Sequence, residues 1–269
     1  IYGSMTGLSV GSIFAGAIIP GVIVAMSLVM VLYFTARKLP KRTNTFANKS
    51  VGKTLASSIW AVFMPVIIVG SILGGIATPT EAAVLAIVYA LFIAFFIYKT
   101  LHVSDLKDII ISASKSSTIL LFLTGTASIF SWMLAMEQVP QHMARLFAAI
   151  ANHPSVFLLL VCALLLFVGT FLEITAAAII LVPILAPVAV GMGIDPLHFA
   201  LVFLIADFIG VITPPVGVCL FASASISKES IEAVSKDLLP FIGAEVLALL
   251  FIVFCPDIVL FLPRVLNLI

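Results

Sequence analysis

The feature that most constrains this chain is a pair of adjacent prolines, Pro214 and Pro215, within Gly210-Val211-Ile212-Thr213-Pro214-Pro215-Val216-Gly217. They interrupt an apolar segment running from Leu197 to Ser225. Two prolines remove two backbone donors, and their rings clash with the preceding helical turn, so a regular α-helix cannot continue through them. The flanking residues are apolar enough to sit in lipid, where unsatisfied backbone groups carry a large free-energy cost. The freed carbonyls and amides must therefore be buried in protein or line a cavity.

Composition places the rest of the chain in the same environment. Of 269 residues, 63% are hydrophobic and 9% charged, against about 25% charged in an average soluble domain. Apolar runs of spanning length recur at Val10–Ala36, Leu55–Ile76, Ala82–Tyr98, Ser117–Met136, Leu197–Ser225 and Leu238–Phe261. The expected fold is an all-α integral membrane protein. It is a multi-span helical bundle with a broken transmembrane helix and a re-entrant helical hairpin over Ser155–Met192.

The hairpin expectation has two grounds. Each apolar arm of Ser155–Met192 is shorter than the about 20 residues of a full crossing. Between the arms stand Gly169-Thr170-Phe171-Leu172-Glu173-Ile174-Thr175 and then Ala176, Ala177 and Ala178. The tip offers loose carbonyls, two hydroxyls and a carboxylate at mid-depth, and the alanines permit close backbone approach. Charge gives the second ground. If the block enters and leaves on one side, Arg37, Lys38, Lys41, Arg42, Lys49, Lys53, Lys99, Lys107, Lys115, Lys228 and Lys236 share one membrane face. Only Arg145 and Arg264 of the thirteen basic residues then fall on the other. This is the positive-inside pattern, and it puts the C-terminus outside.

The hairpin tip and the proline break, facing each other, supply oxygen ligands without a basic group. Such a set suits sodium, and the half-helix after each break presents a positive end to a carboxylate. The expected ion ligands are Gly169, Thr170, Gly210 and Thr213 through backbone oxygens, with Thr175 as a hydroxyl. Three acids lie at membrane depth, Glu173, Asp207 and Glu245, and an ionisable residue there is a functional hypothesis by default. Glu173 at the tip and Asp207 before the break are candidates for coupling or substrate contact, alongside Pro214 and Pro215. Glu245 is read as making a structural hydrogen bond.

Other motifs read structurally. Thr78-Pro79-Thr80-Glu81 has the spacing of a capping box, with proline at the first helical position. Thr100–Ser116, Ser227–Asp237 and Gln141–Asn152 suit short helices lying along the membrane surface. Cys162, Cys219 and Cys255 are scattered as small buried hydrophobes, with no metal-ligand spacing. Ile1 does not begin a signal peptide, and the chain is expected to open inside a larger membrane protein.

At five places the sequence resembles the large membrane subunit of tripartite ATP-independent periplasmic (TRAP) transporters. They are Ala15-Gly16-Ala17-Ile18-Ile19-Pro20-Gly21, Thr78-Pro79-Thr80-Glu81-Ala82, Gly169-Thr170-Phe171-Leu172-Glu173, Gly193-Ile194-Asp195-Pro196-Leu197-His198-Phe199 and Ile212-Thr213-Pro214-Pro215-Val216-Gly217. The resemblance implies an elevator-type secondary transporter of the bacterial or archaeal inner membrane, importing organic acids with sodium and without ATP hydrolysis. It implies a periplasmic substrate-binding protein and a small membrane subunit as partners. No cofactor beyond sodium and no nucleic acid is implied. The chain resembles the second of two inverted repeats. Residues 1–9 would close the first broken helix and residues 10–116 form scaffold spans and an interfacial arm. Residues 117–237 would carry the transport elements, with the hairpin at 155–192 and the broken helix at 197–225, and residues 238–269 the last span. One departure concerns Ala206-Asp207-Phe208, where the family often carries an amide.

Three other readings compete. A sodium–dicarboxylate symporter without a binding protein would have similar hairpins. A scaffold subunit would tolerate loss of Pro214 or Gly169. An enzyme is disfavoured, because the chain lacks a His-Glu-x-x-His zinc helix and an obvious catalytic pair.

Overall fold

The computed structural model describes residues 1–37, 51–138, 142, 146, 153–172, 174–215 and 217–269. Every regular element among them is helical. The chain divides into two compact units, Lys38–Leu120 and Ile1–Arg37 together with Leu121–Ile269.

In the Lys38–Leu120 unit, α3 (Val51–Leu73) packs against α4 (Pro79–Phe92). The capping box is formed as its spacing predicts. The Glu81 carboxylate accepts from the Thr78 amide at 2.7 Å, and the Thr78 hydroxyl accepts from the Glu81 amide at 3.4 Å. Tyr89 of α4 donates to the Trp60 carbonyl of α3 at 3.0 Å. A π-helical stretch, Ile93–Ile97, extends α4. The next helix, α5 (Leu106–Met136), begins in this unit and is continuous over 31 residues. The expected surface helix over Thr100–Ser116 is thus mostly the first part of a long helix. Neither Gly nor Pro interrupts Leu106–Thr124, so nothing in the backbone ends the hydrogen-bond ladder there.

The other unit contains α1 (Tyr2–Thr6), α2 (Val10–Ala36), the end of α5, α6 (Pro154–Gly169), α7 (Ile174–Gly191), α8 (Pro196–Ile212), α9 (Val218–Ser227), α10 (Ile231–Phe254) and α11 (Asp257–Val265). The helix expected over Gln141–Asn152 lies outside the described residues except for His142 and Leu146.

Helix α8 is the hub of this unit, packing against α2, α6, α7, α9, α10 and α11. It is apolar around most of its circumference, as a fully enclosed helix should be. Phe157, Phe199 and Phe203 are buried together, with ring centroids 6.2 and 6.1 Å apart along the row. Asp195 sets the start of α8 by accepting from the Leu197 and His198 amides at 2.8 and 3.2 Å, with Pro196 at the first helical position. The buried His198 ring joins α8 to α10, its Nε2 lying 3.0 Å from the Ile252 carbonyl.

Two boundaries differ from expectation. Ser227–Asp237 is not a separate surface helix. Ser230 caps a helix at Ile231 that continues to Phe254. The last span then stops at Cys255 rather than reaching Phe261, because Pro256 disfavours a helical residue before it. Cys255 has φ −123° and ψ 77°.

Four helical segments among the described residues are long and apolar enough to cross a bilayer: Val10–Thr35, Pro79–Ile97, Ile174–Gly191 and Ile231–Phe254. The chain is an all-α, multi-pass membrane protein. The first hairpin arm has 16 residues and the second 18, or about 24 and 27 Å at 1.5 Å per residue. The second arm is therefore long and apolar enough to cross a bilayer, where the sequence predicts an arm too short to do so.

Candidate functional site at the helix break

The break in the Leu197–Ser225 segment lies where the two prolines predict it. Helix α8 ends at Ile212, and Thr213 is extended, with φ −84° and ψ 132°. The Pro214–Pro215 bond is cis. Gly217 has a positive φ of 49° and precedes α9. Thr213 donates its amide to Gly210 at 2.9 Å and its hydroxyl to Ile209 at 2.6 Å, both to backbone carbonyls.

The hairpin turn faces this break. Helix α6 ends at Gly169, and the chain tightens through Thr170–Leu172, with the Phe171 and Leu172 amides both donating to the Val168 carbonyl. The Thr170 hydroxyl donates to the Phe167 carbonyl at 2.7 Å. The Thr170 carbonyl accepts from the Gly217 amide at 2.9 Å, which ties the hairpin directly to the broken helix.

Next to this bond the two backbones touch. A Cβ at Gly169 would lie 2.7 Å from the Gly210 Cα, and one at Gly210 would lie 2.7 Å from the Leu165 carbonyl oxygen. Only a glycine pair lets α6 and α8 cross this closely. The close approach of α6 and α8 therefore rests on Gly169 and Gly210.

The same proximity gathers oxygens. The Val211 and Thr213 carbonyls each lie 3.0 Å from where a Gly217 Cβ would stand, and Thr170 contributes a third carbonyl through its bond to the Gly217 amide. Both threonine hydroxyls donate to helix carbonyls, which leaves their oxygen lone pairs as acceptors. No Lys or Arg occurs between Leu146 and Ser227. No group of three His, Cys, Asp or Glu residues placed to hold a metal ion is found among the described residues. The donor set is thus one of neutral oxygens, which suits a hard cation rather than a transition metal.

The structure brings Gly169, Thr170, Gly210 and Thr213 together. Thr175 is half-buried in the first turn of α7, Pro214 half-buried and Pro215 exposed. Asp207 is fully buried in α8, and its carbonyl oxygen is 3.2 Å from the Cβ position of Gly169. Glu173 lies outside the described residues. Val211 and Gly217 enter the site as additions to the residues picked from sequence. Their contribution is backbone, and the only signal for it was a glycine just past the double proline. Glu245 departs from its reading, since its buried Oε2 has no hydrogen-bond partner among the described residues.

Fold and junction together define an all-helical membrane protein whose discontinuous helix is closed by a helical hairpin. The chain belongs to the DctM component family of tripartite ATP-independent periplasmic transporters, matched over residues 1–258. Among similar proteins, the C4-dicarboxylate TRAP transporter large permease protein DctM of Pseudomonas aeruginosa is 34% identical, over 98% of this chain and 62% of its own length. The sialic acid TRAP transporter large permease protein SiaM of Vibrio cholerae is also 34% identical, over 98% and 62%. The isethionate TRAP transporter permease protein DctMQ of Oleidesulfovibrio alaskensis is 35% identical, over 97% of this chain and 41% of its own length. The chain thus spans less than two thirds of each of these relatives.

Proposed function

We propose that this chain is the C-terminal part of the large subunit of a sodium-coupled secondary transporter. The transporter imports organic acid anions delivered by a periplasmic binding protein, and a small membrane subunit flanks the large one. The observation that carries the reading is the cluster of Thr170, Val211 and Thr213 carbonyls around Gly217. A sodium ion held there by neutral oxygens adds one positive charge at the start of α9 and close to the start of α7. Both helix N-termini already favour an anion. Ion and carboxylate then assist each other with no basic side chain in this half.

The remaining features follow from the same reading. Ser155–Met192 re-enters the inner membrane rather than crossing it, so the basic residues stay cytoplasmic and the C-terminus is periplasmic. The hairpin and broken helix, locked together at Gly169 and Gly210, move as one body in an elevator motion. The family's substrates support organic acids as the class, because relatives are named for C4-dicarboxylates and sialic acid.

The test is uptake by the intact transporter in proteoliposomes, with its binding protein added. Uptake is expected to require a sodium gradient, and Thr213→Ala and Gly169→Val each to raise the sodium concentration for half-maximal rate. Equal rates in potassium alone, or unchanged sodium dependence in both variants, refute the assignment. Full uptake without the binding protein points instead to a binding-protein-independent symporter.

A further inference from the structure

A second feature lies away from the helix break. Helices α2 and α10 leave between them an open groove of about 800 Å³, walled by Met26, Met30 and Phe34 on one side and Pro240, Gly243 and Leu247 on the other. Its one polar side chain, Ser27, is satisfied within α2, donating to the Val24 carbonyl at 2.8 Å. The groove is open at Gly243, where an added Cβ would meet nothing within 4 Å. The two methionines bring flexible thioethers that adapt to an irregular apolar guest.

The dimensions select the guest. Along α2 the groove runs from Ile23 to Phe34, about 16 Å at 1.5 Å per residue. That is the depth of one leaflet, half of a hydrocarbon core about 30 Å thick. Volume divided by length gives a cross-section of about 50 Å². A helix with its side chains is about 10–12 Å across and needs roughly 80–110 Å². The groove is too narrow to seat a helix and wide enough for hydrocarbon chains.

Charge marks one end. A Cβ at Gly16 would lie 3.3 Å from the Val259 carbonyl oxygen, and the Ser12 hydroxyl donates to the Leu268 carbonyl at 3.0 Å. The end of α10 thus adjoins the start of α2, and the start of α10 lies by the end of α2. There Arg37 follows Phe34 by three residues, and Lys236 and Asp237 precede Pro240 by four and three. At this spacing all three stay on the groove's side of their helices. Glu232 stands one turn further out. Arg37, Lys236 and Asp237 are exposed, and none makes an ion pair among the described residues. The Arg37 guanidinium lies 4.3 Å from the centre of the Tyr33 ring, an aromatic of the kind that marks a membrane–water boundary.

We propose that this groove binds a phospholipid with a primary-ammonium headgroup, phosphatidylethanolamine, from the adjoining leaflet. Its acyl chains lie along Met26, Met30 and Gly243, its phosphate sits between Arg37 and Lys236, and its ammonium donates to Asp237. The mouth carries both signs of charge, and a phosphate next to an ammonium complements both. A headgroup with a phosphate alone leaves Asp237 unmatched, and a quaternary ammonium has no N–H to donate to it. The groove shares no residue with the carbonyl cluster at Gly217.

The test uses the intact transporter in vesicles containing a trace of phosphatidylethanolamine with a diazirine midway along one acyl chain. The remaining lipid is phosphatidylglycerol, phosphatidylcholine or unlabelled phosphatidylethanolamine at the same total concentration. Adducts are mapped by mass spectrometry after illumination. Met30 and Val29 are 60% and 64% exposed at neighbouring positions of α2, and only Met30 lines the groove. Met30 labelling is expected to disappear when the bulk lipid is unlabelled phosphatidylethanolamine and to persist in the other two, with Val29 labelled alike in all three. Equal labelling of Met30 in all three lipids means contact with bulk lipid only and overturns the proposal. So does its loss in phosphatidylglycerol or phosphatidylcholine, and so does the absence of any Met30 adduct. Arg37→Gln should lower Met30 labelling about fivefold, the effect of one basic residue at a lipid surface. Gly243→Leu fills the groove and should abolish it, with Val29 unchanged. The lipid exchange needs no variant, so a poorly folded variant leaves it decisive. No readout involves sodium or substrate, and the outcome is independent of the transport assignment.

Discussion

Replacing Gly210 with alanine puts a methyl group where the structure has room only for hydrogen. The new Cβ would stand 2.7 Å from the Leu165 carbonyl oxygen and 2.9 Å from the Gly169 Cα. Both neighbours are backbone, so no side chain can turn aside, and the helices themselves must part. Carbon atoms rest at about 3.5–4.0 Å, which requires a separation of roughly 0.5–1 Å. Overpacking of this kind costs about 1–3 kcal/mol. Alanine regains about 0.5–1 kcal/mol of helix preference over glycine. Parting α6 from α8 also stretches the 2.9 Å bond between Gly217 and Thr170, whose loss adds about 0.5–1.5 kcal/mol. The net loss is about 1–3 kcal/mol, and it falls on the segment that holds the carbonyl cluster. At about 1.4 kcal/mol per tenfold change, the sodium concentration for half-maximal uptake should rise about five- to a hundredfold. The assay pairs sodium-dependent uptake with thermal unfolding of the purified protein. Gly243→Ala is the control, because an added Cβ there meets nothing within 4 Å. If Gly210→Ala matches Gly243→Ala in both midpoint temperature and sodium dependence, the close-packed junction does not hold the site.

Two further outcomes test the fold away from the ion site. Thr78→Ala removes the side chain that caps α4 and should cost about 0.5–2 kcal/mol, read as a lower unfolding midpoint with unchanged sodium dependence. His198→Ala deletes the 3.0 Å link to the Ile252 carbonyl and should cost about 0.5–1.5 kcal/mol for the lost hydrogen bond, since that carbonyl keeps the Cys255 amide at 3.3 Å. A midpoint equal to that of wild type would show that α8 and α10 are joined by apolar packing alone.

Local chemistry was legible in the chain and tertiary proximity was not. The capping box at Thr78 and Glu81, and the stop at Ile212, depend on groups within a few residues of each other, so residue type and spacing suffice. The junction of α5 with the segment before it, and the start of α10 at Ile231, were harder. An amphipathic stretch reads the same whether the helix ends or runs on. At the helix break, residue type pointed to Gly169, Thr170, Gly210 and Thr213. It could not show that the Val211 carbonyl turns toward Gly217, because every residue carries a carbonyl and only the folded backbone decides where it points. The same holds for Glu245. Its place in an apolar run marked it as unusual, but hydrogen-bond partners come from other helices, and the packing of α2 and α8 around it left Oε2 with none among the described residues. Sequence settles where this backbone must break, since proline chemistry acts within one turn. Which distant segment closes over the break is a property of the packed helices, where two glycines bring main chain to main chain.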